Sequence, residues 1–393
     1  MNHSFWQSKK VFITGHTGFN GSWLCLWLRR LGAEIHGYSD KLPTSPSMYR
    51  LCGLEQDIAW TRGDIRDGGR LTEALRIVKP DIIFHLAAQP LLGRSYEDPL
   101  TTFAVNTVGT AALLDAVRVT GSDHPVRAVV LATSDHCYAN RESKMGCREY
   151  DAIGGQDPFS ASKACAELVV SAYRRSFFEG GSGMPAVATV QAGSIIGGGD
   201  WAEGRIVPGC VRAAMLGHAP VLQSPETVRP WQHVLEPLAG YLELAERLFG
   251  KGGASYAEAW NFGPREEDAK ADSWLAGAFC SALGIQTSAC TGAAAQEAEN
   301  IGSRKVTAVL RLDSTKAQYR LGWRPCWKAD EAVNRTAEWY LQWMKGMPMR
   351  DVSAAQIADY EAAAGNNSKE HELAGEGADS MLAFTEESKS GGV

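Results

Sequence analysis

Gly15-His16-Thr17-Gly18-Phe19-Asn20-Gly21 is the stretch on which the reading of this chain turns. Before it, the β-branched run Val11–Thr14 predicts a strand; after it, Ser22–Leu31 predicts a helix. Each glycine has a separate use between a strand and a helix. Gly15 permits the tight turn, Gly18 lets backbone N–H groups approach a pyrophosphate, and Gly21 lets helix and strand pack closely. The helix N-terminus adds a favourable partial positive charge for that phosphate. Thr17 and Phe19, within the loop, join the three glycines as candidate cofactor contacts.

A glycine triplet alone is a weak signal, but three further features stand at strand ends downstream. Asp64-Ile65 follows the third strand, where an acid and an apolar residue can hold an adenine. Leu86-Ala87-Ala88-Gln89 follows the fourth, with small residues where a cofactor must pass close to the backbone. Lys163 opens a long helix after the strand end at Thr133-Ser134, and Asn106 stands at the head of another helix. Asp40, just past the second strand, is the nearest acid for a ribose 2′-hydroxyl, so NAD is favoured. Ser39 and Lys41 leave NADP as the lesser alternative.

Working outward, strands are expected at Glu34–Tyr38, Ile58–Arg62, Asp81–Leu86, Arg127–Thr133 and Ala186–Gln191. Helices are expected at Leu71–Val78, Thr107–Val119 and Ser162–Phe177. This alternation predicts an α/β fold with a doubly wound parallel sheet of the Rossmann type, binding ligands at the strand carboxyl ends. Residues 1–192 read mainly as the dinucleotide-binding domain. Residues 193–364, irregular and rich in Gly, Pro and Trp, read mainly as a smaller substrate-binding lobe with interleaved segments. Ala354–Ala364 is expected to close it as a helix capped by Ser353. Residues 365–393 read as a disordered acidic tail.

The bulk properties exclude several classes. Net charge is −6, and residues 366–393 hold six acids against Lys369 and Lys389, so the body is nearly neutral and offers no basic face for nucleic acid. Nine scattered cysteines without Cys-x-x-Cys spacing argue for reduced thiols in the cytoplasm and against a disulfide framework or a metal site. No signal peptide and no 18-residue apolar run is read, which predicts no membrane span.

Six strings carry a resemblance: GHTGFNGSW (15–23), PTSPS (43–47), FHLAAQP (84–90), TSDHCYAN (133–140), GGGDW (197–201) and RPWQHVLEP (229–237). Over roughly Val11 to Ala364 the chain resembles the extended short-chain dehydrogenases/reductases, and within them the CDP-glucose 4,6-dehydratases. The resemblance implies oxidation of a sugar C4 hydroxyl by tightly held NAD, loss of water across C5 and C6, and return of hydride to C6. It implies that Lys163 holds the nicotinamide ribose, that Thr133 or Ser134 orients the hydroxyl, and that Asp135 protonates the departing C6 hydroxyl. It places Arg205, Arg229 and His233 at the nucleotide-sugar substrate, the last two against the diphosphate. It also implies a homodimer, through the helices Thr107–Val119 and Ser162–Phe177, which are apolar on more than one face.

The chain departs from this pattern where the chemistry is done. The expected Tyr-x-x-x-Lys reads Phe159-Ser160-Ala161-Ser162-Lys163, and a phenyl ring has no proton to exchange. His136 stands where similar enzymes carry Lys, as does Asn20, and Gln191 and Ser194 replace an Arg and an Asn. Three readings remain open: a substitute base (His136 first, then Tyr138 or Tyr150), a different reaction such as epimerisation or reduction of a related nucleotide sugar, or an inactive sugar-nucleotide-binding homologue. An imidazole, which titrates near ~6.5 when nothing perturbs it, is the side chain best suited to the first.

Overall fold

The computed structural model describes residues 2–121, 126–139, 145–179, 183–285 and 309–366. Seven parallel strands form one sheet: β1 (Lys10–Thr14), β2 (Glu34–Ser39), β3 (Ala59–Arg62), β4 (Ile82–His85), β5 (Ala128–Ala132), β6 (Ala186–Ala192) and β7 (Ala259–Phe262). Their spatial order is β7-β6-β5-β4-β1-β2-β3. The order reverses between β1 and β4, where Val11 pairs with Ile82 and Ile13 with Phe84. A ligand crevice opens at the carboxyl ends of such a pair.

Central strands such as KVFIT and IIFH are apolar nearly throughout because helices cover both sheet faces. Val11, Ile13, Phe84, Val130 and Val190 face one core, closed by α1 (Phe19–Arg30) and α5 (Leu235–Phe249). Phe12, Ile83, Val129 and Val187 face the other, closed by α2 (Gly68–Val78), α3 (Gly109–Thr120) and α4 (Pro158–Tyr173). Trp23 and Trp27 of α1 are fully enclosed; burying a large apolar side chain contributes roughly 1.5–3 kcal/mol.

Several boundaries differ from expectation for identifiable reasons. Helix α1 starts at Phe19 rather than Ser22, since Gly18 already serves as N-cap. Helix α4 starts at Pro158, with Asp157 as N-cap accepting from Ser160 N, and continues through a π turn at Arg174–Phe178. Ser353 is not a cap. Residues 349–366 are helical, and Ser353 Oγ lies inside that helix, donating to Met349 O at 2.7 Å and accepting from Trp339 Nε1 at 2.9 Å. The tail expected at 365–393 falls, from 367 on, outside the described residues. Strand β7 was not expected; AWNF is short, and it pairs with β6 through Asn261 and Gln191. It brings the chain after Gly193 back into the first sheet.

Pro99–Thr120 forms a continuous 22-residue helical run that is long and apolar enough to cross a membrane by length and composition alone. Here it packs on α2 and α4. Its outer face exposes Leu100 and Val108, and the neighbouring helix exposes Leu168 and Phe177.

Candidate active site

The glycine loop is built for close approach. Gly15 adopts φ +74°, and a Cβ there would lie 2.6 Å from Ala87 N, so the loop and the β4 exit lie against each other. A Cβ on Gly21 would run into Gly15 O and His16 Cα, which places that glycine's close contact within the loop itself. No side chain caps α1 at Gly18, which leaves its first N–H groups for an anion. Thr17 Oγ1 donates to Lys41 O (2.8 Å) and lies 3.1 Å from the Ser39 hydroxyl, tying the loop to the β2 exit. His16 is fully buried, and burial takes its pKa down to about 4; it is a neutral, structural imidazole.

The other expected contacts gather along the same edge. Asp40 is exposed after β2, 3.8 Å from Lys41 Nζ. Asp64, after β3, is gripped by the Arg66 guanidinium (2.9 and 2.5 Å), which holds its carboxyl below the usual range. Ile65 is buried against Gly109. Asn106 clasps the β4 exit: its Oδ1 accepts from Gln89 N (2.8 Å) and its Nδ2 donates to Gln89 O (3.1 Å) and Ser162 Oγ (2.9 Å). The glycine cradle and the uncapped helix end fit a dinucleotide pyrophosphate.

At the β5 exit the candidate catalytic groups converge. Lys163 is buried and donates to Ala132 O at 3.2 Å. Burial lowers its pKa to about 8, with Glu167 one turn on pulling the other way. Thr133 Oγ1 donates to buried Glu167, which also accepts from Thr189 (2.8 Å) and Gln191. That carboxyl is pushed up by burial, with the hydrogen bonds from Thr133, Thr189 and Gln191 and the Arg174 charge pulling the other way. Ser134 Oγ donates to Asp135 Oδ1 (3.0 Å), while the buried Asp135 Oδ2 has no hydrogen-bond partner among the described residues. His136 is half-buried, its ring 5.7 Å from and steeply inclined to Phe159, with Nδ1 3.3 Å from Ser160 Oγ. Phe159 occupies the same helix face as Lys163, one turn earlier.

The three expected substrate contacts fare differently. Arg229 Nε is held by Asp272 (3.0 and 3.3 Å) and Arg205 by Asp200 (3.2 Å), both partly exposed. His233 is enclosed between Trp23 and Trp327, accepts from Leu235 N at 3.3 Å, and burial takes its pKa down to about 3. The diphosphate contact expected of it would need a face that this packing covers. Among the described residues no His/Cys/Asp/Glu cluster could hold a metal.

Sequence reasoning missed Asp157, Ser160, Glu167 and Gly193. The Asp-Pro start of α4 was a readable cap signal. Gly193 carried none: a Cβ there would overlap the Asp135 carboxylate, so only glycine leaves that acid its place. A Gly193→Ala variant is expected to displace Asp135 and lower turnover by about 10²-fold, the effect of a misplacement near 1 Å. Turnover measured beside the melting transition checks this; full activity would show that Asp135 needs no such room.

A parallel seven-stranded sheet with a glycine cradle at its switch point and a lysine helix beside β5 defines an extended short-chain dehydrogenase/reductase architecture. Residues 12–336 match the family model described as GDP-mannose 4,6 dehydratase. A CDP-glucose 4,6-dehydratase of Salmonella typhimurium is 43% identical over 369 residues, covering 92% of this chain and 99% of that protein. A dTDP-glucose 4,6-dehydratase of Xanthomonas campestris is 25% identical, covering 85% of this chain and 95% of that protein. Among solved structures, the Streptomyces venezuelae dTDP-glucose 4,6-dehydratase with NAD bound superposes with TM-score 0.70 at 24% identity, covering 86% of this chain and 99% of that one. A UDP-glucose 4-epimerase from Thermotoga maritima does so with TM-score 0.70 at 19% identity, covering 85% and 99%. The chain belongs to the GDP-mannose 4,6-dehydratase family of nucleotide-sugar 4,6-dehydratases.

Proposed function

We propose that this chain is a cytoplasmic, homodimeric, NAD-dependent dehydratase of CDP-glucose in which His136 acts as base in place of the tyrosine that Phe159 replaces. The observation that carries this reading is the pairing of His136 with the Phe159 ring at the β5 exit, on the side that also holds Asp135 and Lys163. The near full-length match to a CDP-glucose enzyme supports the substrate. The exposed apolar residues Leu100, Val108, Leu168 and Phe177 support a second copy packing there.

NAD, when bound, would supply the hydride acceptor and donor of the reaction. Gly15, Thr17, Gly18, Phe19 and Gly21 would hold its pyrophosphate, Asp40 its ribose, Asp64 and Ile65 its adenine, and Lys163 its nicotinamide ribose, with Leu86–Gln89 and Asn106 shaping the wall. His136 Nε2 takes up the proton lost by the sugar and, being half-exposed, passes it to water. Asp135, in its acid form, gives a proton to the C6 hydroxyl as it leaves as water; the C5 proton passes to solvent in the same elimination, and a proton from solvent returns to C5 as the hydride reaches C6. Ser134 and Thr133 order the strand end, and Arg229 and Arg205 would face the substrate's phosphates.

The test is turnover of CDP-glucose with NAD, the product followed by NMR, for the wild type and Phe159→Tyr. Formation of the 4-keto-6-deoxy sugar by the wild type is the expected result. Turnover by the tyrosine variant alone would move the native chemistry elsewhere, and silence from both would leave a binding protein or another substrate.

A further inference from the structure

His136 reaches a carboxylate through one hydroxyl. Its Nδ1 lies 3.3 Å from Ser160 Oγ, and Ser160 Oγ lies 2.6 Å from Asp157 Oδ2. Asp157 Oδ1 meanwhile accepts from Ser160 N at 2.9 Å, so both carboxylate oxygens are spent on the first turn of α4. A serine hydroxyl has one proton. An ionised Asp157 can only accept, so that proton lies toward Asp157, and Ser160 Oγ meets the imidazole with a lone pair. Nδ1 must then carry the hydrogen. In a neutral ring this leaves Nε2 as the bare acceptor, and among the described residues no hydrogen bond engages Nε2.

We propose that Asp157 and Ser160 are positioning residues that set the tautomer of His136, presenting Nε2 as proton acceptor at the β5 exit. The inference rests on the reading of His136 as base. It adds the reason this imidazole is held ready: when Nε2 takes a proton, the imidazolium keeps its Nδ1–H on Ser160, whose dipole is aligned by the Asp157 charge. Orientation of a catalytic imidazole by a carboxylate works in the same way where the two touch directly, and exchanging that carboxylate for an amide inverts the tautomer. The same substitution has a sharp consequence here. In Asp157→Asn the amide oxygen still caps Ser160 N, but the amide NH₂ now donates to Ser160 Oγ. The serine proton turns to Nδ1, and the hydrogen of the imidazole moves to Nε2.

The experiment is ¹⁵N–¹H correlation of the imidazole nitrogens in the resting full-length protein, with His136 assigned by its loss in His136→Gln. The expected wild-type signature is Nδ1–H; in Asp157→Asn it becomes Nε2–H, turnover falls about 10²-fold, at the low end of a general base's contribution, and the melting temperature holds because Asn caps as well as Asp. Ser160→Thr keeps the hydroxyl and the wild-type signature, whereas Ser160→Ala loses the tautomer preference. An Nε2–H signature in the wild type, or an unchanged tautomer in Asp157→Asn, overturns the proposal. The reading needs no turnover: inversion of the tautomer in a protein that forms no 4-keto sugar would uphold the wiring while removing the dehydratase assignment.

Discussion

Replacing His136 by alanine is expected to lower turnover of CDP-glucose by roughly 10²–10⁴-fold, the usual contribution of a positioned general base, with KM little changed. The expectation rests on how few groups remain once the tyrosine is gone. Tyr138 is buried, its hydroxyl donates to Asn261 Oδ1 at 2.7 Å, and burial drives its pKa far up, so it gives and takes no proton near neutrality. Tyr150 is 76% exposed and its oxygen is engaged by Arg148 at 2.7 Å. Lys163, with a pKa of about 8, is mostly protonated at pH 7 and donates to Ala132 O. The half-open imidazole is what remains beside Asp135. Adding Phe159→Tyr to the His136→Ala variant should restore part of the rate, because a phenol at 159 would lie one helical turn from the Lys163 ammonium. Kinetics of the single and double variants decide it; a fully active His136→Ala would place the base elsewhere.

The second large effect is on stability. Glu236, on α5, is fully buried and accepts from Cys326 N (2.9 Å), Trp327 N (2.5 Å) and the Tyr360 hydroxyl (2.7 Å). One carboxylate thus joins a helix on the main sheet to the 326–327 turn and to the C-terminal helix. Burial pushes its pKa up to about 7, and the three donors pull it back. Glu236→Ala leaves two backbone N–H groups and a hydroxyl without partners, each costing about 1–3 kcal/mol, so a loss on the order of 3–5 kcal/mol is expected. For a fold of this size that is a fall in melting temperature of roughly 4–6 °C. Glu236→Gln, which keeps one acceptor oxygen, should lose clearly less. Calorimetry of the two variants tests this, and equal losses would show that the volume of the side chain matters rather than its hydrogen bonds.

Much of the fold was legible before any coordinates. Local patterns govern the glycine turn, the apolar strands covered on both faces and the α/β alternation, because each depends on residues within one turn or one strand. Right-handed crossovers imply a doubly wound sheet, but the order of its strands came from the structure. That Phe159 stands where the resemblance implies a tyrosine, with His136 as the first candidate to replace it, is a reading of the letters alone. What those letters could not supply were contacts between distant segments. Strand β7 arrives from beyond residue 250 and reads as a strand only because β6 offers it an edge. Gly193 matters only because the Asp135 carboxylate, 58 positions earlier, lies against it. His233 looked like a phosphate ligand until Trp23 and Trp327 closed over it, since burial is a property of packing and not of residue type. The sequence determined the scaffold, because its strands, helices and glycine turn are local; only the tertiary structure decided which imidazole is enclosed and neutral, and which stands half-open beside an acid with a serine and a carboxylate behind it.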